Sequence, residues 1–228
     1  MKKELNEKNI LLQIQRITAA LITAGVSRDQ NFPALSNGKI TWSGYTDISF
    51  TLKGGPYDET YTECLKKRAY NYLLIDDAII QMMYQTTNNR LVAHRLAFYP
   101  RPDIERYQDI PDEYEEKYYG DKLFVDVINR HIVAFPIRFD FDCDQDRYVQ
   151  KDHPYSHLTL GNYTNCRIPV SFPLSPYRFI DFVLRNFYFD IYKKKFNDGK
   201  FACDIKFEET ISKEEKQLMH IHYEINSY

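Results

Sequence analysis

Hydrophobic positions recur at two different periods along this chain, and each period predicts its own elements. Ile10, Ile14, Ile17 and Leu21 fall on one face at helical spacing, and Gly25 follows where a C-terminal glycine belongs. The pattern predicts an amphipathic helix over 5–25 packed on the body of the protein. SNGKITWSG (36–44) and YTDISFTLKGG (45–55) alternate as a hairpin pair, with Ile48, Phe50 and Leu52 inward and Asp47, Ser49 and Thr51 outward. Residues 58–85 suit one helix, or two broken near Leu73, with an apolar face from Leu65 to Met83. Residues 90–102 read as a strand ended by Pro100 and Pro102. The acidic, tyrosine-rich stretch 103–120 has little periodicity and reads as a loop with a helical turn.

Strands resume with LFVDVI (123–128) and HIVAFPIRFDFD (131–142), followed by HLTLG (157–161) and CRIPVSF (166–172). A strong helix is predicted over 175–192: Ser175 can cap it, Pro176 sits at its first position, and Phe179, Phe182, Val183, Asn186 and Phe187 share a face. FACDIKFEE (201–209) reads as a last strand and 211–225 as a short closing element. There is no internal repeat, linker or low-complexity run. The expected fold is α+β: one domain over 1–228, a mainly antiparallel sheet, and helices packed on one side.

Alternation gives the candidate site. In IRFDFD, Arg138, Asp140 and Asp142 share a face opposite Phe139 and Phe141. His157 and Thr159 oppose Leu158 and Leu160, and Arg167 and Pro169 oppose Cys166, Ile168 and Val170. If these strands are neighbours, Arg138, Asp140, Asp142, His157 and Arg167 form one polar face. Such a set can hold a phosphate by arginine forks, supply histidine as acid or base, or bind a divalent cation through carboxylates. It can equally be a solvated face with an Arg–Asp pair. The alternate aspartates from Asp140 to Asp146 lack the glycine and terminal glutamate of a calcium loop.

His153 and His157 lie four apart, but Pro154 biases the segment toward a turn entering a strand. The rings then need not converge. No stable zinc site is expected, and His153 is assigned a structural bond to backbone or to an aspartate. His157 is the better group for proton transfer near neutral pH. Asp204-Ile205-Lys206 matches the end of a D/E-x-K nuclease core, which would use Mg²⁺; an edge-strand charge pair explains it as well. No cofactor is otherwise indicated, and the metal is left open.

Composition narrows the partners. The chain has 19 Tyr and 15 Phe against one Trp, which either fill a core or present stacking surfaces. A net charge of −2 argues against binding nucleic acid through an overall field, although Lys193, Lys194 and Lys195 form a local run. The four cysteines have no CxxC spacing, so reduced thiols in a cytoplasm are expected. No stretch has the length of a membrane span.

HRLAFYPRPD (94–103), RFDFD (138–142), HPYSHLTLG (153–161), CRIPV (166–170) and PLSPYRFIDFVLRNFY (173–188) together resemble the bacterial domain-of-unknown-function family numbered 2290. The likeness is best over residues 91–188. It implies a role in anti-phage defence beside a helicase encoded nearby, with DNA or RNA as the target and no membrane. A fold-level analogy also runs to small TumE-type toxins. Three readings stay open: a nucleic-acid-directed activity at the Arg138/Asp140/His157/Arg167 face, a metal-dependent nuclease or toxin-like RNase, and a non-enzymatic module that loads or regulates the helicase.

Overall fold

The computed structural model describes residues 7–46, 48, 55–102, 134–163, 165–196, 201 and 205–223. The stretches expected at 103–120 and 123–128, the inward Phe50 and Leu52, and Asp204 lie outside the described residues.

Helix α1 (Glu7–Thr23) forms where helical spacing put it, and Ile10, Ile14, Ile17 and Leu21 are fully buried. Each such side chain contributes roughly 1.5–3 kcal/mol by leaving water. Gly25, at φ 71°, ends the helix: its N–H donates to Ile22 O and that of Val26 to Leu21 O, both at 3.0 Å. Strand β1 (Ser27–Gln30) follows, then β2 (Pro33–Ser36) and β3 (Lys39–Trp42), which pair as a hairpin. Asn37 and Gly38, both at positive φ, make its two-residue turn. The hairpin therefore lies one strand earlier than expected, because the Asn-Gly pair is the turn and not part of a strand. Ile48 is buried as expected.

The expected helix over 58–85 is corrected. Only α2 (Tyr57–Lys66) is helical, and the rest is β4 (Tyr72–Leu74) and β5 (Ile79–Thr87), paired antiparallel across a turn at Asp76 and Asp77. Ile79–Tyr84 is buried on both faces, so its apolar run carries no alternation to separate strand from helix. Strands β6 (Arg90–Tyr99), β7 (Ile137–Asp142), β8 (Ser156–Leu160) and β9 (Ile168–Pro169) each pair antiparallel with the next. The sheet runs β1-β4-β5-β6-β7-β8-β9, with β3 joined to β5.

Helix α3 (Pro176–Phe187) starts as predicted, with Ser175 Oγ accepting from Arg178 N–H. The predicted single helix breaks at Tyr188 (φ −131°, ψ 46°), and α4 (Phe189–Lys195) continues it. Tyr188 is buried with its hydroxyl on the Asp76 carboxylate, a tertiary anchor that overrides helical continuity. Asn186, expected on the inner face, is exposed. Ile205–Glu208 is not a strand: the segment meets the sheet through Thr210 N–H to Ser171 O, and Ile221 bridges Val170. A 3₁₀ turn at Glu215–Gln217 is the closing element.

The α+β architecture with a mainly antiparallel sheet stands, but helices lie on both faces and not on one as expected, and alternation divides the sheet. One face carries Tyr72, Ile80, Met82, Leu96, Phe98, Phe139 and Leu158 into the main core with α1, α3 and α4. On the other, Leu73, Ile79, Met83, Ala97 and Tyr99 pack under Tyr61 and Cys64 of α2. Past α2, that second face turns polar.

Candidate functional site

Register builds the polar face. Arg95 pairs with Asp140 across β6 and β7, and Asp140 with His157 across β7 and β8. The next row sets Ala97 against Arg138 and Arg138 against Thr159. Strand β7 alternates as expected, with Ile137, Phe139 and Phe141 buried and Arg138, Asp140 and Asp142 on the other side.

Asp140 is the hub. Arg95 Nε donates to its Oδ1 at 2.9 Å, Arg138 Nε stands 3.7 Å from Oδ2, and His157 Nε2 is 4.0 Å from Oδ2. Side-chain exposure is 25% for Arg95, 19% for Arg138, 14% for Asp140 and 8% for His157, so the cluster is recessed but reachable. Burial pushes the Asp140 carboxyl up, but the charges of Arg95 and Arg138 outweigh it and hold the group below its usual range. Among the described residues, two guanidiniums thus share one carboxylate, a row with more cationic than anionic groups.

His157 donates from Nδ1 to Pro154 O at 2.9 Å, since a carbonyl can only accept. That bond fixes the neutral tautomer with a bare Nε2 turned toward Asp140. Burial depresses the ring below its ordinary range, Asp140 opposes this, and Arg167 adds to the depression. Arg167 precedes β9, whose Pro169 pairs with His157, so its charge belongs to this face.

Asp142 shares the face but serves the adjoining turn. Its Oδ2 takes Arg147 Nη1 at 2.9 Å and its Oδ1 accepts Asp144 N–H, while Asp144 Oδ1 accepts Asp146 N–H. The alternating aspartates are successive side-chain-to-backbone turns. His153 is bonded as expected, Nδ1 donating to Arg147 O at 2.6 Å. The two histidine rings, which the turn did not require to converge, do come together: their centroids are 5.1 Å apart, with the turn closed by Val149 and His153 folding back toward β8. Lys206 is exposed on an irregular segment, away from the strand its motif requires. Among the described residues, no group of three or more His, Cys, Asp or Glu side chains is placed to hold a metal ion.

Arg95 and Tyr99 escaped the sequence reading. Tyr99 is buried, with a hydroxyl that has no hydrogen-bond partner among the described residues and lies in the field of Arg138, Arg95 and Asp140. Alternation in 90–99 puts Arg95, Ala97 and Tyr99 on one face; knowing that β6 and β7 are antiparallel neighbours would have brought in both.

The fold and site define an α+β protein with a recessed arginine–carboxylate–histidine row on one face of an antiparallel sheet. The chain belongs to the family described as an uncharacterized conserved protein, DUF2290, which it matches over residues 26–223. No curated protein and no solved structure matches it. No helix among the described residues is long and apolar enough to cross a membrane.

Proposed function

We propose that this protein is an anti-phage defence component that acts with a helicase, and that its Arg95/Arg138/Asp140/His157 face contacts the phosphodiester backbone of nucleic acid. The observation that carries this reading is the sharing of one carboxylate by two arginines, with Arg167 adding charge beside them. A phosphate is the partner that uses such an excess, since guanidinium forks match its oxygens. The resemblance to a family encoded beside helicases in defence loci supports the partnership. His157, neutral with Nε2 bare, is the group able to take a proton if the bound strand is cut.

The test incubates the purified chain, alone and with the helicase, with labelled DNA and RNA in Mg²⁺ or EDTA, alongside plaque assays on the two-gene locus. Arg138→Ala is expected to weaken binding and abolish protection. His157→Ala is expected to remove cleavage while leaving binding. Full protection by Arg138→Ala at normal protein levels would sink the reading.

A further inference from the structure

The loop after β8 holds an exposed aromatic ring. Tyr163 is 77% exposed and Phe135, beside it, 38%. An exposed tyrosine ring is a face on which an unpaired base can stack. Tyr163 is also positioned. Gly161 sits at φ 63°, and a Cβ added there would lie 3.3 Å from Tyr163 Cδ2, 3.4 Å from Cε2 and 3.9 Å from Phe135 Cβ. The ring therefore rests against the bare glycine backbone, with its remaining surface in solvent.

Two bonds fix the loop relative to the arginines. Gly161 N–H donates to Pro136 O at 2.7 Å, extending the β7–β8 ladder in which Arg138 faces Thr159. Asn162 Nδ2 donates to Gly55 O at 3.2 Å, tying the loop to the start of α2, which covers the second face. Gly161 is two residues beyond Thr159, or about 7 Å along the strand, a reach that one nucleotide spans.

We infer that this face takes a single-stranded nucleic acid, with a backbone phosphate on Arg138 and Arg95 and the neighbouring base stacked on Tyr163. The inference rests on the phosphate reading above and adds the strandedness. In a duplex both faces of each base are occupied by stacking, so an exposed ring gains nothing beyond the ends; an unpaired base offers its whole face. The charge balance points the same way. With 30 basic against 32 acidic residues, the chain lacks the broad cationic surface that holds a duplex, and a local phosphate contact joined to stacking suits it better. Arg138, 19% exposed and with its Nε 3.7 Å from Asp140, is not committed to a hydrogen bond there.

The experiment is fluorescence anisotropy on the full chain with four probes: a single-stranded oligonucleotide, its duplex, an abasic strand with the same phosphates, and a mononucleotide as competitor. Wild type is expected to prefer the single strand over the duplex, with the mononucleotide a weak competitor. Tyr163→Ala should weaken the single strand about tenfold and leave the abasic strand unchanged. Arg138→Gln should weaken both and lower the salt slope by about one. If Tyr163→Ala binds the single strand as wild type does, or the duplex binds equally well, the stacking inference falls while an Arg138 effect keeps the phosphate reading. Mononucleotide binding as tight as the strand overturns the inference in favour of a nucleotide site. If wild type binds none of the probes, both readings fall.

Discussion

Asp140 and His157 face each other as a register pair across β7 and β8, with a carboxylate oxygen 4.0 Å from an imidazole nitrogen that carries no proton in the neutral tautomer. On its other side, the same carboxylate holds Arg95 and stands near Arg138. The row therefore depends on one acidic group.

Asp140→Asn keeps the shape and removes the charge, leaving two largely buried guanidiniums beside each other. Removing one partner of a buried pair is costly because the remaining charge is uncompensated. We expect a loss of about 3 kcal/mol, read in urea as a lower midpoint at unchanged slope. A loss below about 1 kcal/mol would mean that solvent already screens the pair.

His94 predicts how stability responds to acid. It is buried, its Nε2 accepts from Leu174 N–H at 3.0 Å, and burial pushes its pKa down to about 4. The unfolded chain takes up this proton near pH 6.5 and the folded chain does not, so stability is full above that pH and falls as pH drops toward 4. The loss amounts to about 3 kcal/mol at one proton and 1.36 kcal/mol per unit. His94→Gln keeps an acceptor for Leu174 without the titration. Chemical denaturation from pH 7.5 to 4.5 should show a shallower decline for the variant, with His157 and, toward the acid end, the depressed Asp29 and Asp140 carboxyls supplying what remains. Parallel declines would exclude His94 as the source.

How far these features could be read from sequence depends on burial. Strand β7 and helix α1 each present one apolar and one polar side, so alternation and helical spacing located both. Strand β5 is buried on both sides and offered no contrast, which is why a helix was expected there. The Arg138, Asp140 and His157 face was legible because each strand signals its own orientation. Arg95 was not, because its opposition to Asp140 exists only through a pairing between strands far apart in the chain. The turn that brings His153 to His157 likewise depends on the Val149 and His153 bridge, which no local pattern announces.

Two glycines at positive φ separate backbone strain from contact. Gly25 (φ 71°) has nothing within 4 Å of an added Cβ, whereas at Gly38 (φ 72°) the added atom would overlap the Thr86 carbonyl oxygen. Gly25→Ala should cost about 1 kcal/mol, the penalty of a left-handed alanine alone. Gly38→Ala should cost more than about 2 kcal/mol, since the hairpin and β5 must also part. Thermal melts of the two variants compare them directly, and equal losses would mean that the β3–β5 contact yields freely.

The ionisation of His157 should respond in opposite directions to the loss of Asp140 and of Arg167, while His153 adds a further downward push. Burial sets its depressed value, Asp140 pulls that value up and Arg167 pushes it down. Asp140→Asn should therefore lower the midpoint further, and Arg167→Gln should raise it, each followed by NMR titration of the ring. Shifts of the same sign would show that the substitutions act through altered packing instead of charge. The sign also bears on chemistry. With its midpoint below the ordinary histidine value, the ring is neutral at pH 7 and Nε2 is ready to accept a proton. Any strand cleavage that uses it should lose rate only on the acid side, and that limb should move up in pH in Arg167→Gln.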